Sequence, residues 1–205
     1  MKIRFFLWQL LAALAVFFPL LVFAQTTPKE GDFWDYKLEE RGFIGQSSDS
    51  LNGDFRIIFS EGALHVFTLG QESSEISGRG AEILKRLIGI HKDEQKMLDL
   101  PLEIGKTWET SYSIRLKGAR NATLISANSK VEKNEQITTA AGTFETIKIV
   151  RGETWGSSGQ ATTIINYCSD TGSAVKYSYD SDGGGKRNAS LIRTGNAKKV
   201  SVSSN

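Results

Sequence analysis

Between Trp108 and Arg193, run after run of residues places apolar side chains at alternate positions, and short turns of Gly, Asp and Ser separate the runs. This pattern leaves few folds open. Period two puts alternate side chains on opposite faces of a pleated strand, and turns this short join neighbouring strands antiparallel. The strands read as Trp108 to Leu116, Leu124 to Gln136, Thr143 to Trp155, Ala161 to Cys168, Ala174 to Tyr179 and Ala189 to Arg193. Upstream, Trp34, Tyr36 and Leu38 share one face, with Asp35, Lys37 and Glu39 opposite. Phe55 to Phe59 and Ala63 to Leu69 form a hairpin about Ser60-Glu61-Gly62. The expectation is a mainly β fold, an antiparallel meander curling into a half-barrel or clam. Ala81 to His91 departs from it: Ile83, Leu84, Leu87, Ile88 and His91 fit one helical face, predicting one short helix, with a strand interrupted near Gly89 as the alternative.

The first 24 residues follow other rules. Lys2 and Arg4 precede an apolar run from Phe5 to Phe23, Pro19 breaks it, and Val22 and Ala24 are small enough for signal peptidase before Gln25. The run approaches the roughly 20 residues needed to span a bilayer, so an uncleaved anchor is the alternative. No cysteine follows it, which speaks against a lipid anchor. The expected organisation is a signal peptide over 1–24, a flexible leader over 25–31, a single β domain over 32–194 and a flexible basic tail over 195–205. It implies a periplasmic or secreted protein with no membrane span after cleavage.

Charge sharpens this picture. The chain carries 25 Lys and Arg against 23 Asp and Glu, a net +2. Lys2 and Arg4 account for the excess, so the chain from Gln25 onward is neutral, without the basic surplus of a nucleic-acid-binding domain. The neutrality is uneven. Lys176 to Asn205 holds six cations and two acids, which makes that end +4 and Gln25 to Val175 −4. The basic end could touch an anionic surface, or be an ordinary solvated terminus.

Few residues are arranged for chemistry. Asp170-Thr171-Gly172 matches the loop in which aspartic proteases pair two carboxylates to share a proton. Only one copy is present, so the retroviral type of symmetric dimer would be required, with Asp170 as the acid. Cys168-Ser169 separate the loop from its strand, and the Leu87-Ile88-Gly89 string lies before it rather than after. Asp-x-Gly is also ordinary turn chemistry. Asp180-Ser181-Asp182-Gly183 resembles the start of a calcium loop, but its twelfth position is Leu191 rather than Glu. His65 and His91 form no metal-binding pair, and no Gly-x-Ser-x-Gly elbow appears. Cys168 is the single cysteine and cannot form an intramolecular disulfide. No cofactor or metal is implied.

Three segments in order resemble a family of uncharacterised bacterial exported domains. They are Pro101-Leu102-Glu103-Ile104-Gly105-Lys106-Thr107-Trp108, Ala141-Gly142-Thr143-Phe144, and Tyr167 to Lys176 with its Asp-Thr-Gly turn. Gly31-Asp32-Phe33-Trp34-Asp35-Tyr36 matches that family's first strand. The resemblance implies an exported antiparallel β domain and supplies no catalytic residue. The functional expectation is a non-enzymatic domain that binds an apolar small molecule or an envelope protein, with Trp34, Trp108 and Trp155 as the lining. The alternatives are a hydrolase acting through Asp170 and a purely structural envelope component.

Overall fold

A computed structural model describes residues 27–42, 51–70, 75–89, 95–115, 120–157 and 159–197. The 1–24 signal segment, His91, Lys198 and Lys199 lie outside the described residues. The chain builds β1 (Asp32–Arg41), β2 (Gly53–Ser60), β3 (Ala63–Thr68), α1 (Gly78–Lys85) running into a 3-10 turn (Arg86–Ile88), β4 (Thr107–Ile114), β5 (Thr123–Thr139), β6 (Gly142–Trp155), β7 (Gly159–Cys168), β8 (Ser173–Ser181) and β9 (Lys186–Asn196).

Among the described residues, all nine strands belong to one open antiparallel sheet in the order β3-β2-β1-β9-β8-β7-β6-β5-β4, of the expected half-barrel or clam type. Two meanders, β1 to β3 and β4 to β9, are stitched together where β1 pairs with β9. The register runs from Asp32 opposite Asn196 to Arg41 opposite Lys186, with a bulge between Asp35 and Tyr36. The family-like turn residues earn their places. Gly105 and Gly142 sit at φ 89° and 130°, where a Cβ is strained.

Period two gives the sheet an apolar inner face. Val66, Ile57, Tyr36, Leu38, Leu191, Ile165, Ile149 and Val131 bury there, and Ala81, Leu84, Leu87, Ile88, Met97, Leu98 and Leu102 cover them in the same core. Each fully buried Leu or Ile contributes about 1.5–3 kcal/mol. Among the described residues no helix is long and apolar enough to cross a membrane.

Three boundaries differ from the sequence reading. The helix is confirmed in kind but starts at Gly78, three residues before the expected Ala81. It ends at Gly89, whose left-handed φ of 75° stops the turn. The β5–β6 hairpin is longer at its turn end than its apolar pattern suggested, since Ile137, Thr138 and Thr139 pair with Phe144, Thr143 and Gly142. The leader and tail also meet. Ala197 N–H donates to the Gly31 carbonyl at 2.8 Å, and Asn196 Nδ2 donates to the Glu30 carbonyl and to Asp32. β9 therefore takes Gly195 and Asn196 from the expected tail.

Candidate functional site

The inner face changes character along its strands. On β6 the inward positions Ile147 and Ile149 give way to Arg151 and Glu153. Arg151 has no solvent exposure. Its Nε donates to Glu153 Oε1 at 2.8 Å, Nη1 to Ser129 Oγ and the Lys96 carbonyl at 3.2 and 3.4 Å, and Nη2 to Thr110 Oγ1 at 3.0 Å. Tyr112 O–H donates to Glu153 from 3.1 Å, and the Arg151 guanidinium lies 6.0 Å from the Tyr112 ring centre. Nearer β1, Arg187 pairs with Glu40, and both are largely buried. These groups answer one another's charges and hydrogen bonds, so they read as a satisfied interior network rather than an open site.

The opposite face of the same strands is open. Outward side chains of β4 to β9 and the turn after β8 floor a trough of about 1060 Å³. Its central row follows from the register: Glu109, Asn128, Gly152, Thr162, Asp180 and Lys186 stand side by side across six strands. At about 4.8 Å per strand that row spans about 24 Å. Ser126, Thr154 and Gln160 flank it on one side, and Ile164, Ser178 and Asn188 on the other. Ile164 is the one apolar side chain among these outward positions. Asp180 pairs with Lys186 at 2.7 Å, Asn128 Nδ2 donates to Glu109 Oε1 at 3.2 Å, and Asp182 Oδ2 accepts the Gln160 N–H at 2.9 Å.

Gly152 lies in the middle of this floor. Its φ is not left-handed, it is not at a bulge, and a Cβ there would meet nothing within 4 Å. Gly195 and Gly159 have structural reasons to be glycine: a Cβ would press on the Phe33 ring at 3.2 Å and on the Trp155 indole at 2.2 Å. Gly152 has neither reason. A strand glycine without a packing or backbone cause marks a place where something approaches the backbone closely.

The residues singled out from sequence lie elsewhere, apart from the Asp180 to Gly183 tip at the trough's edge. Trp34 and Trp108 are buried core side chains whose indole N–H groups donate to the Thr171 carbonyl at 2.8 Å and the Lys96 carbonyl at 3.0 Å. Such partners are what a buried indole requires. Trp155 is half-buried against Gly159. Asp170 is exposed in a turn tied down by Gly172 N–H to Ser169 and by Thr171 Oγ1 beside Ser173 Oγ, 2.9 Å away. His65 meets Glu75 at 2.8 Å beside Phe67. Cys168 is buried. Sequence reading missed the trough because its floor consists of the polar half of the alternation, which resembles any solvated strand face. Gly152, a glycine inside a strong strand pattern, was the available signal.

Behind the Asp170 turn, Tyr36 O–H donates to the Ala174 carbonyl at 2.8 Å, whereas the buried Tyr167 hydroxyl has no partner among the described residues. A buried unpaired hydroxyl carries a desolvation penalty of about 1–3 kcal/mol. Tyr167→Phe is accordingly expected to leave stability unchanged or raise it by about 1 kcal/mol, while Tyr36→Phe lowers it by about 1–2 kcal/mol. Urea midpoints of the two variants check this, and a loss at Tyr167→Phe as large as at Tyr36→Phe would refute it.

No protein-family model matches the chain, and no curated protein does. Two solved structures are similar over 82% of this chain and 97% of their own. One is a candidate lipoprotein from Parabacteroides distasonis ATCC 8503, with TM-score 0.40 and 14% identity. The other is a candidate exported protein with a YmcC-like fold from Bacteroides fragilis NCTC 9343, with TM-score 0.37 and 10% identity.

Proposed function

We propose that this protein is an exported, non-catalytic binding domain that engages another component of the cell envelope through the trough on its outer face. The observation that carries this reading is the six-strand polar floor with Gly152 left open at its centre. Export rests on the Met1 to Ala24 pattern. Asp170 takes part in a hairpin turn whose hydrogen bonds account for its Asp-Thr-Gly string, which favours binding over hydrolysis. The outward side chains of the trough are mostly polar, which favours an envelope component with polar groups over an apolar small molecule.

Two results are expected. Intact-mass measurement of the extracytoplasmic protein finds a chain beginning at Gln25. Failure to find that species, with all protein in the cytosol, removes the export step. A photo-crosslinking residue at Thr162 forms an adduct in cells, and the same residue at Glu61, in the exposed β2–β3 turn, does not. Equal labelling at both positions, or none at Thr162, removes the trough as the binding surface.

A further inference from the structure

We infer that the trough takes a glycan chain, neutral or amine-bearing, lying across strands β4 to β9 over Gly152; the inference rests on the trough being the binding surface. The chemistry of the floor selects this class by exclusion and by fit. Among its outward side chains four are charged, Glu109, Asp180, Asp182 and Lys186, for a net −2, and Glu153 at its inner margin is paired with Arg151. Nucleic acid and acidic polymers are repelled by that sign. A lipid or other apolar ligand needs an enclosed apolar pocket, and this is an open sheet face where Ile164 is joined only by Ala127, Ala161 and Tyr179 as apolar lining. A protein partner draws most of its affinity from aromatic, aliphatic or Arg anchors seated in pockets. An outward floor of Ser, Thr, Asn, Gln and Asp offers none.

A sugar chain has the complementary properties. It presents hydroxyls that both donate and accept, and the floor answers with the same duality. Asn128, Gln160 and Asn188 supply amides, Thr162 and Ser178 hydroxyls, and Asp182 and Glu109 carboxylates. Each carboxylate accepts one hydrogen bond within the protein, from Gln160 N–H and Asn128 respectively. Ionised carboxylates have about four lone-pair sites, so both keep capacity for a ligand hydroxyl or ammonium. Gly152 allows a ring to rest on the strand backbone where any side chain would hold it off. The length fits an oligomer: the floor crosses six strands, about 24 Å.

The test is titration of the purified protein, by NMR and calorimetry, with three hexameric probes: deacetylated chito-oligosaccharide, its N-acetylated form and oligogalacturonate. Both chito-oligosaccharides are expected to bind. The amine form binds about two- to fivefold tighter at low salt, as for an exposed ion pair, and oligogalacturonate gives no measurable binding. Gly152→Trp points into open space, so the fold and Tm should be kept while affinity falls about tenfold or more through steric exclusion. Thr162→Trp on the next strand is the second variant, should the first misfold. Asp182→Asn combined with Glu109→Gln should abolish the preference for the amine form.

Binding of oligogalacturonate as tightly as the others overturns the inference, as does undiminished affinity in a folded Gly152→Trp or Thr162→Trp variant. If no glycan binds while Thr162 crosslinks a protein in cells, the glycan is wrong and the trough remains the binding surface. If neither occurs, both readings fall.

Discussion

Replacing Arg151 by alanine is expected to destabilise the protein by about 3–5 kcal/mol. The side chain is wholly buried, and its removal leaves Glu153, itself 9% exposed, without its ion-pair partner. Ser129 and Thr110 lose a shared partner at the same time, and Tyr112 loses the guanidinium beside its ring. Domains of this kind are stable by about 5–15 kcal/mol in total, so one substitution brings the fold close to its threshold. The charge left behind should dominate over the lost contact. Arg151→Met combined with Glu153→Leu removes both charges and keeps much of the volume, so it should be less destabilising than Arg151→Ala alone. Urea denaturation of both single variants and the double variant gives the coupling energy directly. A loss below about 1 kcal/mol in Arg151→Ala would show that water reaches Glu153 and relieves it.

That network also shows where sequence reading ran out. Strand identity was legible because Ile147, Ile149 and their counterparts alternate with polar residues, and nearly every turn carried Gly, Asp or Ser. Period two also places Arg151 and Glu153 on the same face as Ile149. A charged pair inside a strand reads as solvated until the partner strands are known, and those partners come from β4 and β5, over 20 residues away. The pairing of β1 with β9 was equally hidden, since no local signal marks contact between residues 32–41 and 186–196. The aromatic residues misled in the other direction. Trp34 and Trp108 suit either a ligand lining or a core, and both indoles are buried in the core. The Asp-Thr-Gly string shows the limit of a motif without its context: the structure uses it as a turn whose Thr171 carbonyl anchors Trp34.

Alkaline pH is expected to unfold this protein cooperatively between about pH 11 and 12. All five tyrosines, Tyr36, Tyr112, Tyr167, Tyr177 and Tyr179, are held above the ordinary value of 10, and burial of the hydroxyl is the main cause in each. Tyr112 and Tyr167 are both pushed up to about 12. In Tyr112 the neighbouring Glu153 charge adds to the burial, and Arg151 opposes it. A raised folded value means that the unfolded chain releases its protons first. The stabilisation is therefore complete below pH 10 and is lost as pH rises from 10 toward 12. A two-unit shift corresponds to about 2.7 kcal/mol per group as an upper bound. Several such groups together are comparable to the whole stability of a domain, about 5–15 kcal/mol. Tyrosinate absorbance at the red edge of the tyrosine band should stay flat past pH 10, then rise in one steep step that coincides with loss of the β-sheet circular dichroism signal. Tyr112→Phe removes one of these protons, and should reduce the dependence of stability on pH by up to about 1.4 kcal/mol per unit between 10 and 12. A shallow titration centred near pH 10 with the sheet signal intact would mean that the tyrosines meet water in the folded state, and the enclosed inner face described above would have to be abandoned.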